Sequence, residues 1–128
     1  SIPRNRVEAR AVEELLGRVL AGDAELVSSF VVKAEHSRLS EPARRVRVGN
    51  LISFARKHVT SNTEILERAT ALEEIGFGAG DALHIAAAEH AGVDYFVTCD
   101  DKLISKARRT NLLARVILPQ ELIEENVI

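Results

Sequence analysis

The chain has 128 residues, enough for one domain with its own core and no disulfide or metal staple. Apolar residues make up 46% and charged residues 28%, and the single cysteine, Cys99, excludes an internal disulfide framework and suits a reducing cytoplasm. The net charge of −2 names no polyanion partner by itself, no apolar stretch approaches the roughly 20 residues that cross a membrane, and no signal peptide is visible.

Helices and strands alternate along the chain. Residues 5–21 place Val7, Ala11, Val12, Leu15, Leu16, Val19 and Leu20 at helical spacing, and Gly22 ends the run. "AELVSSF" reads as a short strand, with Ser28 or Ser29 capping the helix "FVVKAEHSRL". A further helix, "PARRVRVGNLISFARK", opens on Pro42. "HVT" is a weak strand. "SNTEILERATALEEIG" is a helix capped by Ser61 or Asn62, and "GDALHIAAAEHAG" is a helix apolar nearly all round that ends at Gly92. "DYFVTC" is a strand, "DKLISKARRT" a helix, "ARVIL" a strand and "PQELIEEN" a final helix. Neither repeats nor linkers interrupt the series. The order predicts an α/β fold of three layers, α/β/α, around a parallel central sheet, with a site beyond the carboxyl ends of its strands. "DYFVTC" carries little outward polarity, as a strand buried on both faces would.

Charge is unevenly distributed. From His36 to His58 six bases (Arg38, Arg44, Arg45, Arg47, Arg56, Lys57) face one acid, Glu41. From Lys102 to Arg115 there are five bases (Lys102, Lys106, Arg108, Arg109, Arg115) and no acid. Either these are solvated helix faces, or they meet as a basic surface that holds phosphates.

Three carboxylates are candidates for chemistry. Asp81 stands at a helix start, where it meets free backbone N–H groups and the positive end of the helix dipole. Glu35 lies four residues from both Val31 and Leu39, on an apolar stripe where a carboxylate is costly unless it is paired or bound to a cation. Asp100 closes the strand and Asp101 opens the next helix; one of them can be a cap, but two exceed what capping requires. If Glu35, Asp81 and Asp100 converge at the carboxyl edge, their repulsion calls for a hard divalent cation, Mg²⁺ or Mn²⁺. Such a cluster suits phosphodiester hydrolysis.

The stretch "GDALHIAAAEHAGVDYFVTCDDKLISKA" resembles the second half of a PIN domain: Asp81 at a helix start, His84 three residues on, small residues Ala86 to Ala88, then Gly92, Asp94, Phe96, Thr98 and Asp100. "VSSFVVKAEHSRL" resembles the helix that carries the family's acidic residue, which falls on Glu35. The resemblance extends over nearly the whole chain. It implies a Mg²⁺- or Mn²⁺-dependent ribonuclease, similar to VapC-like toxins of bacterial and archaeal toxin–antitoxin pairs, with an antitoxin partner, a homodimeric state and a cytoplasmic site of action. Glu35, Asp81 and Asp100 would be the catalytic carboxylates and hold the metal. Asp101 would support them from behind, Thr98 would orient Asp100 or the water, and His84 would be a packed, hydrogen-bonded histidine.

The family opens with a strand that bears a further Asp. The first Asp here is Asp23, at the amino end of a strand and away from the expected site. The chain starts at Ser1 and holds no Met, so the expectation is a single domain, residues 1–128, whose first strand is missing before Ser1. The strands around Val27 and Val97 would then lack a shared neighbour, and the cation would bind weakly. Two functions follow: an endoribonuclease, or a non-catalytic interaction module of the same fold. A base-stacking nucleic-acid binder fits poorly with only five aromatics, all placed where a core is expected.

Overall fold

The first helix, α1 (Arg4–Leu20), closes through Gly22, whose φ of 86° suits a residue without a Cβ. The computed structural model describes residues 3–125. After α1 come β1 (Val27–Ser29), α2 (Phe30–Arg38), α3 (Pro42–Phe54), β2 (Lys57–Val59), α4 (Thr63–Glu74), α5 (Ala79–Ala91), β3 (Tyr95–Val97), α6 (Asp101–Arg108), β4 (Arg115–Ile117) and α7 (Pro119–Glu124). The fold is α/β with short strands, and helix predominates. The strands form two parallel pairs, β1 with β2 and β3 with β4. Among the described residues each pair is a two-stranded sheet, and the parallel pairing agrees with the expected α/β fold. Among the described residues, β1 pairs with β2 alone and β3 with β4 alone. The chain divides into two compact units, one of Leu26–Val93, the other of the residues up to Glu25 with those from Asp94 onward.

In the first of these, Val27, Ser28 and Ser29 of β1 lie opposite Lys57, His58 and Val59 of β2, and α2 and α3 make the crossover that a parallel pair needs. Ser29 caps α2 by accepting from the Val32 N–H at 3.3 Å. At the corner between α2 and α3, His36 Nε2 lies 2.9 Å from the Arg45 carbonyl. Gly49 leaves room for that ring, since a Cβ there would meet His36 Nε2 at 3.2 Å. The core is the α4–α5 packing. Ile65, Ala69 and Leu72 recur at i, i+4 and i+7 on α4 and are buried with Ala82, Ile85 and Ala86 of α5. Asn62 starts α4 by accepting from the Ile65 N–H at 2.8 Å. Gly92, at φ 72°, ends α5 in the left-handed region. Arg68 ties the two helices through two bonds to Glu89, 2.7 and 3.3 Å.

In the second unit, Tyr95, Phe96 and Val97 of β3 lie opposite Arg115, Val116 and Ile117 of β4, with α6 as the crossover. Leu103, Ile104 and Ala107 of α6 are buried with Val116, Ile117 and Leu122. α1 packs on α7. β3 is not the doubly buried strand expected: Tyr95 and Phe96 are half-buried and Val97 is 39% exposed. Of the five aromatics, Phe77 is buried, whereas Phe54 is 38% exposed, so the aromatics are not uniformly core.

Candidate metal centre

Asp81 is the third helical residue of α5, behind Gly78, which caps the helix without a side-chain bond. Its half-buried carboxylate therefore stands in the first turn, at the positive end of the dipole of an inner helix. One turn on, His84 is 15% exposed, and its Nε2 lies 2.6 Å from Oε1 of Glu35. A carboxylate only accepts, so the proton in this bond is carried by His84 Nε2. The bond joins α5 to α2, which pack on each other. Asp81 and His84 stand at i and i+3 on α5, and it is His84 that Glu35 meets.

Glu35 departs from the sequence reading. Its side chain is 55% exposed, not buried on an apolar stripe. α2 has nine residues and one buried position, Val31; Leu39 lies past its end as the C-cap, so the stripe does not extend to Glu35. The partner of Glu35 is His84. Its Oε2 has no hydrogen-bond partner among the described residues.

The two strand-end aspartates, in the other unit, divide their work. Asp100 is the N-cap of α6: its Oδ1 accepts from the Lys102 N–H at 3.0 Å and the Leu103 N–H at 3.2 Å. Thr98 Oγ1 accepts from the Asp100 N–H at 3.2 Å, so it orients the backbone of Asp100. Asp101 is committed to Arg4 at the start of α1, which reaches both carboxylate oxygens, Nη2 to Oδ1 at 2.9 Å and Nη1 to Oδ2. The guanidinium bond and charge hold the Asp101 carboxyl below the usual range, and the same pair raises Arg4. Asp101 thus ties α1 to α6, a pairing across 97 positions that no local pattern signals. Burial pushes the Cys99 thiol up, and a hydrogen bond with Glu8 adds to it, so this cysteine is no activated nucleophile.

The basic segments differ in how far they are engaged. Arg45 turns back to the end of α2, reaching the Leu39 carbonyl at 3.2 Å. Arg38, Arg44, Arg47 and Arg56 form no salt bridge among the described residues. In the other unit Arg108 and Arg115 pair with Glu121 and Glu125 of α7, which removes two of the five bases of that run.

Among the described residues, no three His, Cys, Asp or Glu side chains gather closely enough to hold a metal ion. The donors are nonetheless of the right kind for a hard cation. Glu35 on α2 and Asp81 on α5 are carboxylates, the donor type that Mg²⁺ takes, commonly one or two of them with several waters. The family model of the PIN domain matches residues 2–109, from the start of the chain to the C-cap of α6. The chain belongs to the PIN-domain family. PIN domains are generally nucleases and typically use divalent metals. The match contains Glu35, Asp81 and Asp100 and ends before β4 and α7. No curated protein and no solved structure matches this PIN-domain chain. No helix among its described residues is long and apolar enough to cross a membrane.

Proposed function

We propose that this PIN-domain protein is an endoribonuclease dependent on Mg²⁺ or Mn²⁺, with Glu35, Asp81 and Asp100 as its metal-holding, catalytic carboxylates. The observation that carries the reading is the Glu35–His84 bond. It joins the exposed Glu35 of α2 to the helix whose first turn holds Asp81. A divalent cation supplies charge to neutralise the phosphodiester and to make water a better nucleophile. The residues of the chain do the rest. Asp81 presents its oxygens at a helix N-terminus, which also favours a bound phosphate. Glu35 offers Oε2. Asp100 caps α6 through Oδ1 alone. Arg38, Arg44, Arg47 and Arg56 supply cations for the RNA backbone.

By the resemblance of residues 80–107 to a PIN domain, a family with many VapC-like toxins, the natural setting is a toxin–antitoxin pair: a cytoplasmic homodimer held inactive by an antitoxin protein. We take the whole chain, residues 1–128, as one PIN domain. The test is cleavage of a labelled RNA by the protein with Mn²⁺ and with excess chelator. Cleavage that needs the metal, falls at least about 100-fold in Asp81→Asn and weakens steeply with salt is the expected result. Cleavage that survives chelation, or persists at full rate in Asp81→Asn, refutes the reading. If no RNA is cut while an antitoxin-type protein still binds, the chain is an interaction module.

A further inference from the structure

Among the described residues every helix but one buries at least one of its own. The exception is α3, which buries none along its 13 residues. A helix of this length is marginal by itself and takes most of its stability from packing an apolar face. α3 packs on one side only. There Val48, Leu51 and Ile52 are half-buried, and Arg45 turns inward to the Leu39 carbonyl. The other side is open. Ala43, Arg47, Asn50 and Phe54 follow at i, i+4, i+7 and i+11, with Val46 beside them, and all five are exposed. Val46, an apolar residue in mid-helix, is 63% exposed.

The charge on this helix has one sign. α3 holds Arg44, Arg45 and Arg47, Arg38 and Arg56 flank it, and Glu41 at its N-cap is the one acid between them. Arg38, Arg44, Arg47 and Arg56 form no salt bridge among the described residues. Charge and apolar side chains together select the occupant. A second copy of α3 would set three arginines against three more with no acid on either helix, which is repulsive. RNA phosphates would pair with the arginines but leave Val46 and Phe54 uncovered, and valine has no flat face on which a base can stack. A protein helix with an apolar stripe and flanking carboxylates satisfies both demands. Such helices are recognised through anchors at i, i+3, i+4 and i+7, and arginine binds a carboxylate through two hydrogen bonds.

We propose that the open side of α3 is the docking face for an acidic amphipathic helix of a partner protein, whose apolar side chains cover Val46 and Phe54 and whose carboxylates pair with Arg44 and Arg47. The proposal goes beyond the nuclease reading and needs neither the metal nor RNA cleavage.

The test is binding of a fluorescent peptide to the full chain, followed by anisotropy. The probe is a peptide of about three heptads with leucine at a and d and glutamate at e and g, where like charges keep it from pairing with itself. Its control carries lysine at e and g. Expected are binding of the glutamate peptide at least about tenfold tighter than the lysine peptide, and a reversal of that preference in Arg47→Glu. Val46→Ser with Phe54→Ser should weaken binding by about tenfold or more, whereas Leu66→Ser, which alters an exposed apolar residue of α4, should leave it within about twofold. All these positions are exposed, and unchanged melting temperatures confirm that the variants fold. Failure of the glutamate peptide to bind, or equal binding of both peptides, overturns the proposal. So does full affinity in the Val46 and Phe54 variant, which would leave a merely charged surface. Sedimentation and an oligoribonucleotide test the other two occupants. A wild-type dimer that Val46→Ser with Phe54→Ser turns into monomers assigns the face to a second copy and overturns the proposal. An oligoribonucleotide that binds more tightly than the glutamate peptide and loses affinity in the same variant assigns it to RNA, with the same consequence.

Discussion

The tie between α4 and α5 gives a sharply asymmetric prediction. Glu89 is 5% exposed and Arg68 39% exposed, and two nearly parallel N–H···O bonds join them. Arg68→Met strips the guanidinium from a carboxylate that stays inside, and hydrogen bonds to a charged group contribute about 1.5–3 kcal/mol, so a loss of about 2 kcal/mol is expected. Glu89→Gln removes the charge but leaves an amide that can accept one bond, while Arg68 turns to water; about 1 kcal/mol is expected. The double variant then loses little beyond Arg68→Met alone, giving a coupling of roughly 1 kcal/mol. Urea unfolding at neutral pH reads all four corners of the cycle, with unchanged m-values confirming that the same surface unfolds. If the single losses add to within about 0.5 kcal/mol, the pair is not the tie described, and the packing of Leu72 against α5 carries the junction by itself.

Three further outcomes follow from named contacts. Asp101, held low by Arg4, stabilises the folded state at pH values above its unfolded value of about 4, and that contribution is lost as pH falls through the lower folded value. The acid unfolding curves of wild type and Asp101→Asn should therefore separate above about pH 4 and merge below it. Gly92→Ala should cost about 1–2 kcal/mol by thermal or urea unfolding; an added Cβ meets nothing within 4 Å, so the cost is that of a left-handed backbone alone. Cys99 should alkylate slowly at neutral pH with a midpoint above that of an ordinary thiol, and Glu8→Gln should speed the reaction.

Much of the architecture was readable from periodicity. The apolar spacing of residues 5–20, the small-residue run after Asp81 and the Pro and Gly punctuation locate all eleven elements to within a few residues. What periodicity does not carry is pairing between distant side chains. The bond from His84 to Glu35 spans 49 positions and that from Arg4 to Asp101 spans 97, and neither has a local signature. The apolar stripe assigned to Glu35 failed because α2 stops at Arg38, which a helical count through Leu39 overlooks. The division of labour between Asp100 and Asp101 was open in the sequence, since either residue type caps a helix; φ −85° and ψ 102° at Asp100 put the cap there and release Asp101 to Arg4. The spacing of Asp81 and His84 did carry a usable signal, because i and i+3 on one helix share a face.

The proposal at the centre of the account is that Glu35, Asp81 and Asp100 are metal-holding carboxylates. Asp100→Asn tests it most cleanly, because an Asn carbonyl oxygen replaces Oδ1 as the cap of α6 while the negative charge is lost. Mn²⁺ titration of the wild type, Asp100→Asn, Asp81→Asn and Glu35→Gln is the measurement. The account predicts an affinity loss of about tenfold or more in each variant, with the melting temperature of Asp100→Asn unchanged. Asp100→Asn binding Mn²⁺ as tightly as the wild type, while Asp81→Asn and Glu35→Gln lose it, would contradict the claim and confine the metal site to α2 and α5.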